Sequence, residues 1–371
     1  MGRQFGSRRA GRKAGHPAPA FAKRRRAVID RAVQHRSFFR FIVALVVLGG
    51  SAVVVFPSRT LAQGAQAYVI ADATSGHVLE ARGQKDKRQV ASLTKIASAM
   101  VVLDWCELRK INLGDLVTIP AGVIRADLSN PVGFQPGDRV SVRDLLFCML
   151  LQSDNIAAEA LALQFGPQLP GDSASTPMQR FVQQMNALAR NLRMERTLFL
   201  NPHGIDNVDQ PYSTALDMAR LTKHALSKAS FRFFVTQKDR RISIQRAGAA
   251  VVPMTPSAAP GPSPATTPAA PAVAEYLLRN TNEMLGTANV DGVKTGQTTR
   301  AGGCLVISAL KSPIAKQVGN QVQVMPRRLI IVVLNSPNRF NDAAALLQRG
   351  WAEFDQWTTQ GRLMGDAKNE L

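Results

Sequence analysis

The chain has 371 residues, 45% of them hydrophobic, enough to bury a sizeable core in one large or two modest domains. Its formal charge of +20 is uneven: residues 1–40 hold 12 Lys or Arg and one acid, Asp30, so +11 lies there and +9 on the rest. Three dispersed cysteines (Cys106, Cys148 and Cys304) and the lack of HExxH exclude a CxxC redox pair and make a zinc hydrolase a poor fit.

The basic block, with KRRR at 23–26, precedes FIVALVVLGGSAVVVF (41–56), an uncharged apolar run that Pro57 and Arg59 end. A basic segment directly before an apolar run reads as a cytoplasmic flank and not as a nucleic-acid patch. Residues 41–62 therefore read as a signal sequence or an N-terminal membrane anchor. The chain beyond residue 62 is expected to be exported, to the periplasm or the outer face of the inner membrane, with any membrane tether at the N-terminus.

AYVIADATSGHVLEAR (67–82) predicts a hairpin turning at Thr74-Ser75-Gly76. VASLTKIASAMVVLDW (90–105) predicts a helix that is apolar almost all round yet carries Lys95. Ser141 and Asp144 form a capping-box pattern before LLFCMLLQ (145–152). The polar break Ser153-Asp154-Asn155 leads into IAAEALALQF, a second apolar helix. Ser213 is expected to open the capped amphipathic helix STALDMARLTKHAL.

Residues 247–274 carry seven prolines and no charge, and read as a flexible surface insertion. DGVKTGQTT, GGCLVISAL and RRLIIVVLN come next, the last two strand-like with a polar loop between them, and AAALLQRGWAEFDQW predicts a closing helix. Strands at both ends of this order enclose a mostly helical block. One mixed α/β (α+β) unit over 66–360 is expected, with a short tail at 361–371.

Ser92 and Lys95, three apart on a helix, share a face. A lysine among apolar neighbours loses hydration and its pKa falls, so it can take the hydroxyl proton of a serine nucleophile. Alone, S-x-x-K fits equally an exposed helix whose lysine reaches solvent. Ser153-Asp154-Asn155 lies where a loop can aim a proton-relaying hydroxyl and a carbonyl-binding amide into a cleft, although alone it is an ordinary N-cap. Lys294-Thr295-Gly296 brings positive charge and, at Gly296, room for a substrate backbone. In this order the three triplets match the signature of penicillin-recognising serine enzymes.

With ASLTKIASA, LLQSDNIAAEALA, NPHGIDN (201–207), NTNEMLG (280–286), DGVKTGQTTRAGGCLV (291–306) and SPNRFNDAAALL (336–347), the chain resembles the low-molecular-mass penicillin-binding proteins, the serine-type D-alanyl-D-alanine carboxypeptidases, over roughly residues 66–355. The resemblance implies a β-lactamase/transpeptidase-like fold: an antiparallel sheet flanked by helices, an all-helical lobe, and the site between them. It implies Ser92 as nucleophile, Lys95 as base and Ser153 as proton relay. Asn155, Lys294, Thr295, Gly296, Gln297 and Arg339 would bind substrate, with the N–H groups of Ser92 and Gln297 as the oxyanion hole. His203 would be structural. It implies a peptidoglycan stem peptide as substrate, β-lactam antibiotics as covalent inhibitors, and no cofactor or metal.

Two departures stand out. Val90 replaces the proline usual before A-S-x-T-K, and the insertion stretches the interval between S-D-N and K-T-G. A class A β-lactamase needs a glutamate in E-x-x-L-N, whereas Glu195-Arg196-Thr197-Leu198-Phe199 lacks the closing Asn. An endopeptidase or transpeptidase shares the acyl-enzyme and remains an alternative. A non-catalytic wall-binding protein fits poorly with so complete a residue set.

Overall fold

The computed structural model describes residues 64–206, 208, 210–247, 272–318, 320–362 and 370–371. The basic block, the apolar run, most of the insertion and most of the tail lie outside the described residues.

β1 (Ala67–Asp72) and β2 (Val78–Arg82) form the expected hairpin. Gly76 turns it at φ 90°, which costs glycine little, and Asp72 Oδ2 accepts from both N and Oγ of Ser75. A 3-10 turn, Ala91–Thr94, runs directly into α1 (Lys95–Arg109), whose first nine residues are all buried. Two short strands come next, β3 (Leu116–Thr118) and β4 (Arg139–Ser141). Ser141 then caps α2 (Val142–Leu151) by accepting the Asp144 amide at 3.0 Å.

The polar break separates α2 from α3 (Asn155–Phe165), and α4 (Pro177–Asn191) opens with a complete Thr176–Gln179 capping box. Next come α5 (Ala215–Ser227), α6 (Ala229–Val235), β5 (Asp239–Gln245) and β6 (Val273–Arg279). The chain closes with β7 (Val290–Thr298), β8 (Gly302–Val318), β9 (Gln321–Ser336) and α7 (Arg339–Thr359).

The strands from the two ends of the chain make one antiparallel sheet in the order β2-β1-β9-β8-β7. Its inner face meets the helical block in the larger core, which includes Val69, Ile96, Met100, Leu146 and Leu161. Its outer face is covered by α7 through Leu346, Trp351, Phe354 and Trp357. Residues of this kind each contribute about 1.5–3 kcal/mol on burial, so both faces of the sheet are held by apolar contact. Among the described residues no helix is long and apolar enough to cross a membrane.

Four details differ from the sequence reading. The lobe opposite the sheet is not purely helical: it carries a second sheet, β3-β4-β5-β6, two of whose strands have three residues each, too few to show an alternating pattern. The polar segment between GGCLVISAL and RRLIIVVLN is not a loop. β8 and β9 continue past a register shift between Lys311 and Ile314 into a solvent-exposed ladder held by backbone pairing instead of core contacts. Thr214, not Ser213, caps α5, because Ser213 is engaged in a backbone bridge to Arg88. The insertion ends earlier than 274, since Val273 and Ala274 pair with Gln245 and Ile244 at the head of β6.

Candidate active site

Lys95, the first residue of α1, has no solvent exposure, so its amine must find partners within the protein. It has three. Nζ lies 3.0 Å from Ser92 Oγ, 2.6 Å from Asn155 Oδ1 and 3.0 Å from the His203 carbonyl oxygen. Burial holds its pKa well below that of an ordinary lysine, the positive charge of Lys294 adds to this, and Asp154 opposes it.

The partners come from separate elements. Ser92 sits in the 3-10 turn, half-buried, one residue after Ala91, which adopts φ 48°. Asn155 is the first residue of α3 and is buried. Asp154 caps that helix: its Oδ1 accepts from Ala157 N at 2.9 Å and its Oδ2 from Val132 N at 3.3 Å, while burial pushes its carboxyl up to about 6. Ser153 makes the turn between α2 and α3 at φ 62° and stays partly exposed. Left-handed conformations cost non-glycine residues free energy, and both lie beside or within motif positions.

β7 forms the opposite wall. A Cβ on Gly296 would lie 3.0 Å from Val90 O and 3.2 Å from Ser92 N, so the strand runs against the serine turn itself. That close approach by itself favours a glycine here. Thr295 Oγ1 lies 2.6 Å from Thr281 Oγ1, which in turn donates to Leu151 O at 3.1 Å. One short polar chain thus links the K-T-G strand to the end of α2, two residues before Ser153. Lys294 is buried and donates to Thr295 O at 3.0 Å; burial, then the charge of Arg339, lowers its pKa to about 7. Arg339 opens α7 and donates from Nη1 to Gly296 O at 3.1 Å and Gln297 Oε1 at 2.8 Å. A groove of about 620 Å³, lined in part by Gln297, Gly303, Ser336 and Arg339, opens beside this pair.

The structure therefore brings Ser92, Lys95 and Asn155 into direct contact, with Gly296 packed on the serine turn and Arg339 and Gln297 at the mouth. Sequence reasoning missed the His203 carbonyl as a partner of Lys95, and it missed Thr281. It also missed Asp206, whose Oδ2 accepts from Thr298 Oγ1 at 2.7 Å and ties the NPHGID loop to β7. Glu195, the residue nearest to a β-lactamase glutamate in sequence pattern, is exposed.

Chemically, a neutral amine whose donors are taken by two carbonyl oxygens has its lone pair left for Ser92 Oγ–H. Such a pair can generate an alkoxide nucleophile without metal or cofactor.

A family model described as D-alanyl-D-alanine carboxypeptidase matches residues 55–337. The chain belongs to this family of serine peptidases. It is 30% identical to D-alanyl-D-alanine carboxypeptidase DacC of Escherichia coli, over 87% of this chain and 69% of that protein. To DacD of Salmonella typhimurium it is 29% identical over 81% and 66% of the two chains. It thus spans about two thirds of the length of these curated relatives. Among solved structures, the Streptomyces K15 DD-transpeptidase superposes with a TM-score of 0.62 at 26% identity, covering 79% of this chain and 98% of that one. The fold is also shared with penicillin-binding protein D2 of Listeria monocytogenes in its ampicillin-bound form, at a TM-score of 0.56 and 23% identity.

In this D-alanyl-D-alanine carboxypeptidase family member the depressed Lys294 pKa has a consequence for stability. Between about 7 and 10.5 the unfolded chain holds a proton at Lys294 that the folded chain lacks. Stability contributed by this position therefore rises with pH across that window. The stability difference between wild type and Lys294→Met is expected to move in favour of wild type from pH 7 to pH 10 in urea melts. A difference that stays flat would place the folded pKa near that of a free lysine.

Proposed function

We propose that the protein is a serine DD-carboxypeptidase that removes the terminal D-alanine from peptidoglycan stem pentapeptides through an acyl-enzyme, outside the inner membrane. The observation that carries the reading is the shared contact of Lys95 Nζ with Ser92 Oγ and Asn155 Oδ1 at full burial.

In this reading Lys95 takes the Ser92 hydroxyl proton as Oγ bonds to the carbonyl carbon of the D-Ala–D-Ala link. The oxyanion is held by the N–H groups of Ser92 and Gln297, where one good donor is worth about 3 kcal/mol. The C–N bond breaks, the departing amine receives a proton through Ser153, and D-alanine leaves. Water then cleaves the ester, returning the acid and free Ser92. Asn155 orients the stem peptide. Lys294, Thr295 and Arg339 hold the terminal carboxylate, to which Arg339 offers guanidinium N–H groups beyond the Nη1 already bonded to β7. The basic block and apolar run at 1–56 support export and an N-terminal tether.

β-Lactams enter the same acyl step and stay bound, because Glu195, the glutamate nearest to a β-lactamase pattern, faces solvent and is not poised to drive deacylation. Incubated with penicillin, the protein is expected to gain one penicilloyl mass on Ser92 that persists for minutes or longer, and to release D-alanine from a pentapeptide. Rapid turnover of the antibiotic would instead mark a β-lactamase.

The structural likeness to a DD-transpeptidase supports a second reading, in which an amine replaces water as acceptor. Adding a D-amino acid to the pentapeptide assay separates the two: an exchanged peptide in place of the tetrapeptide would favour transfer.

A further inference from the structure

α3 buries a second charge that the acyl-transfer scheme leaves idle. Glu159 is 5% exposed and is the one charged residue of α3, whose neighbouring positions are Ala, Leu and Ile. Arg125 grips it with two bonds, Nη1 to Oε2 at 2.9 Å and Nη2 to Oε1 at 2.8 Å. Its Oε1 also lies 3.3 Å from His203 Nε2. His203 Nδ1 accepts the Ile205 amide at 3.2 Å, so the ring proton sits on Nε2 and points at Glu159. Burial would raise the Glu159 pKa, but the bonds from His203 and Arg125 outweigh it and hold it low, while burial lowers that of His203. The arrangement is a neutral imidazole donating to a carboxylate.

The backbone of the same histidine supplies one of the two carbonyl oxygens that occupy Lys95. A neutral amine has two N–H bonds and one lone pair. With Asn155 Oδ1 and His203 O taking the hydrogens, the lone pair can face only Ser92 Oγ. The direction of that lone pair depends on where the His203 carbonyl is held.

We infer that Glu159 is a positioning residue for the base: clamped by Arg125, it anchors the His203 ring, and through it the carbonyl that orients Lys95 toward Ser92. On the other side the loop is fastened to the end of β7 by Thr298 and to the turn after it by Arg300, which donate to Asp206 Oδ2 and Asp206 O. Ser98 Oγ also donates to Pro202 O at 2.6 Å, so loss of Glu159 frees one of several moorings and the loop shifts without unfolding. Both Glu159 oxygens are engaged, so the carboxylate itself is not a proton acceptor in the reaction. The inference rests on the reading of Lys95 as the base.

The test measures acylation by a fluorescent penicillin over a concentration series, which separates the rate at saturation from the reversible affinity. Glu159→Ala is expected to lower the saturating rate about ten- to a hundredfold, the usual cost of misplacing a reacting group by a fraction of an ångström to one ångström. Affinity should stay within about twofold, because the lost interaction is expressed in the transition state. Glu159→Gln should recover most of the rate, since its amide oxygen still accepts from Nε2.

The inference is overturned if folded Glu159→Ala acylates at the wild-type rate, if rate and affinity fall together, or if Gln serves no better than Ala. Should Glu159→Ala not fold, Arg125→Ala carries the test. The Arg125 side chain is 44% exposed, and its removal should give the same split on a smaller scale. A wild-type protein that is not acylated on Ser92 at all would instead overturn the reading of the base beneath it.

Discussion

Ser92→Ala is expected to abolish penicilloyl adduct formation and to lower D-alanine release by at least about 10⁴-fold, the scale on which loss of a serine nucleophile acts in acyl transfer. The variant should fold, because Ser92 is a half-buried residue in a short turn and the strained neighbour Ala91 is untouched. Intact-mass spectrometry after incubation with penicillin checks the first expectation and a D-alanine assay the second. An adduct that persists in Ser92→Ala would place the nucleophile elsewhere. An adduct that vanishes while D-alanine release continues would mean that the peptide is cleaved by another route.

The second large effect concerns the base. Lys95→Met fills nearly the same volume without an amine, and acylation is expected to fall about 10³-fold, in the range typical of a lost general base. Some stability is lost too, since Asn155 Oδ1 and His203 O each forfeit a donor in a buried place, at about 1–3 kcal/mol per group. Lys95→Arg should be worse in both respects: a guanidinium cannot give up its charge, and that charge would be buried beside Lys294.

The pH dependence has a defined sense. Acylation needs Lys95 neutral, so the wild-type rate declines as pH falls through the lowered pKa of that residue, and the residual rate of Lys95→Met lacks this limb. Pre-steady-state acylation at a series of pH values measures both. A Lys95→Met protein that keeps the wild-type acid limb would transfer the titration to another group.

Much of this site is legible in the sequence for a simple reason. A charged residue in an apolar helix is conspicuous, and Lys95 in VASLTKIASAMVVLDW leads directly to its neighbour Ser92. Glu159 in IAAEALALQF is the same kind of signal, but no nearby motif points to its partners, Arg125 and His203, which lie 34 residues before and 44 after it. The hydrogen-bonded threonines at 281 and 295 and the Asp206–Thr298 tie fall within motif stretches, but nothing local shows which residue bonds which.

The fold divides in the same way. The hairpin at 67–82 shows in its turn residues, the central helices in their apolar runs and caps, and α7 in its amphipathic pattern, and their placement as two ends of one sheet around a helical block comes from their order alone. The three-residue strands β3 and β4 carry too few positions for a pattern. The outer half of the β8–β9 ribbon pairs through its backbone, and valines such as Val322 and Val324 stand exposed there, so no apolar run of the kind that marks a buried strand announces it.

The strand order β2-β1-β9-β8-β7 has a bearing on when the molecule can work. The nucleophile and its amine are made early, within the first 95 residues, whereas the strand that closes over them begins at residue 290 and the central member of the sheet at 321. β1 has no neighbour on its inner edge until β9 exists, so the hairpin must wait through most of synthesis for its sheet. The wall that packs on the serine turn is therefore made late, and β9 ties it to the hairpin through pairings between distant parts of the chain, which form slowly.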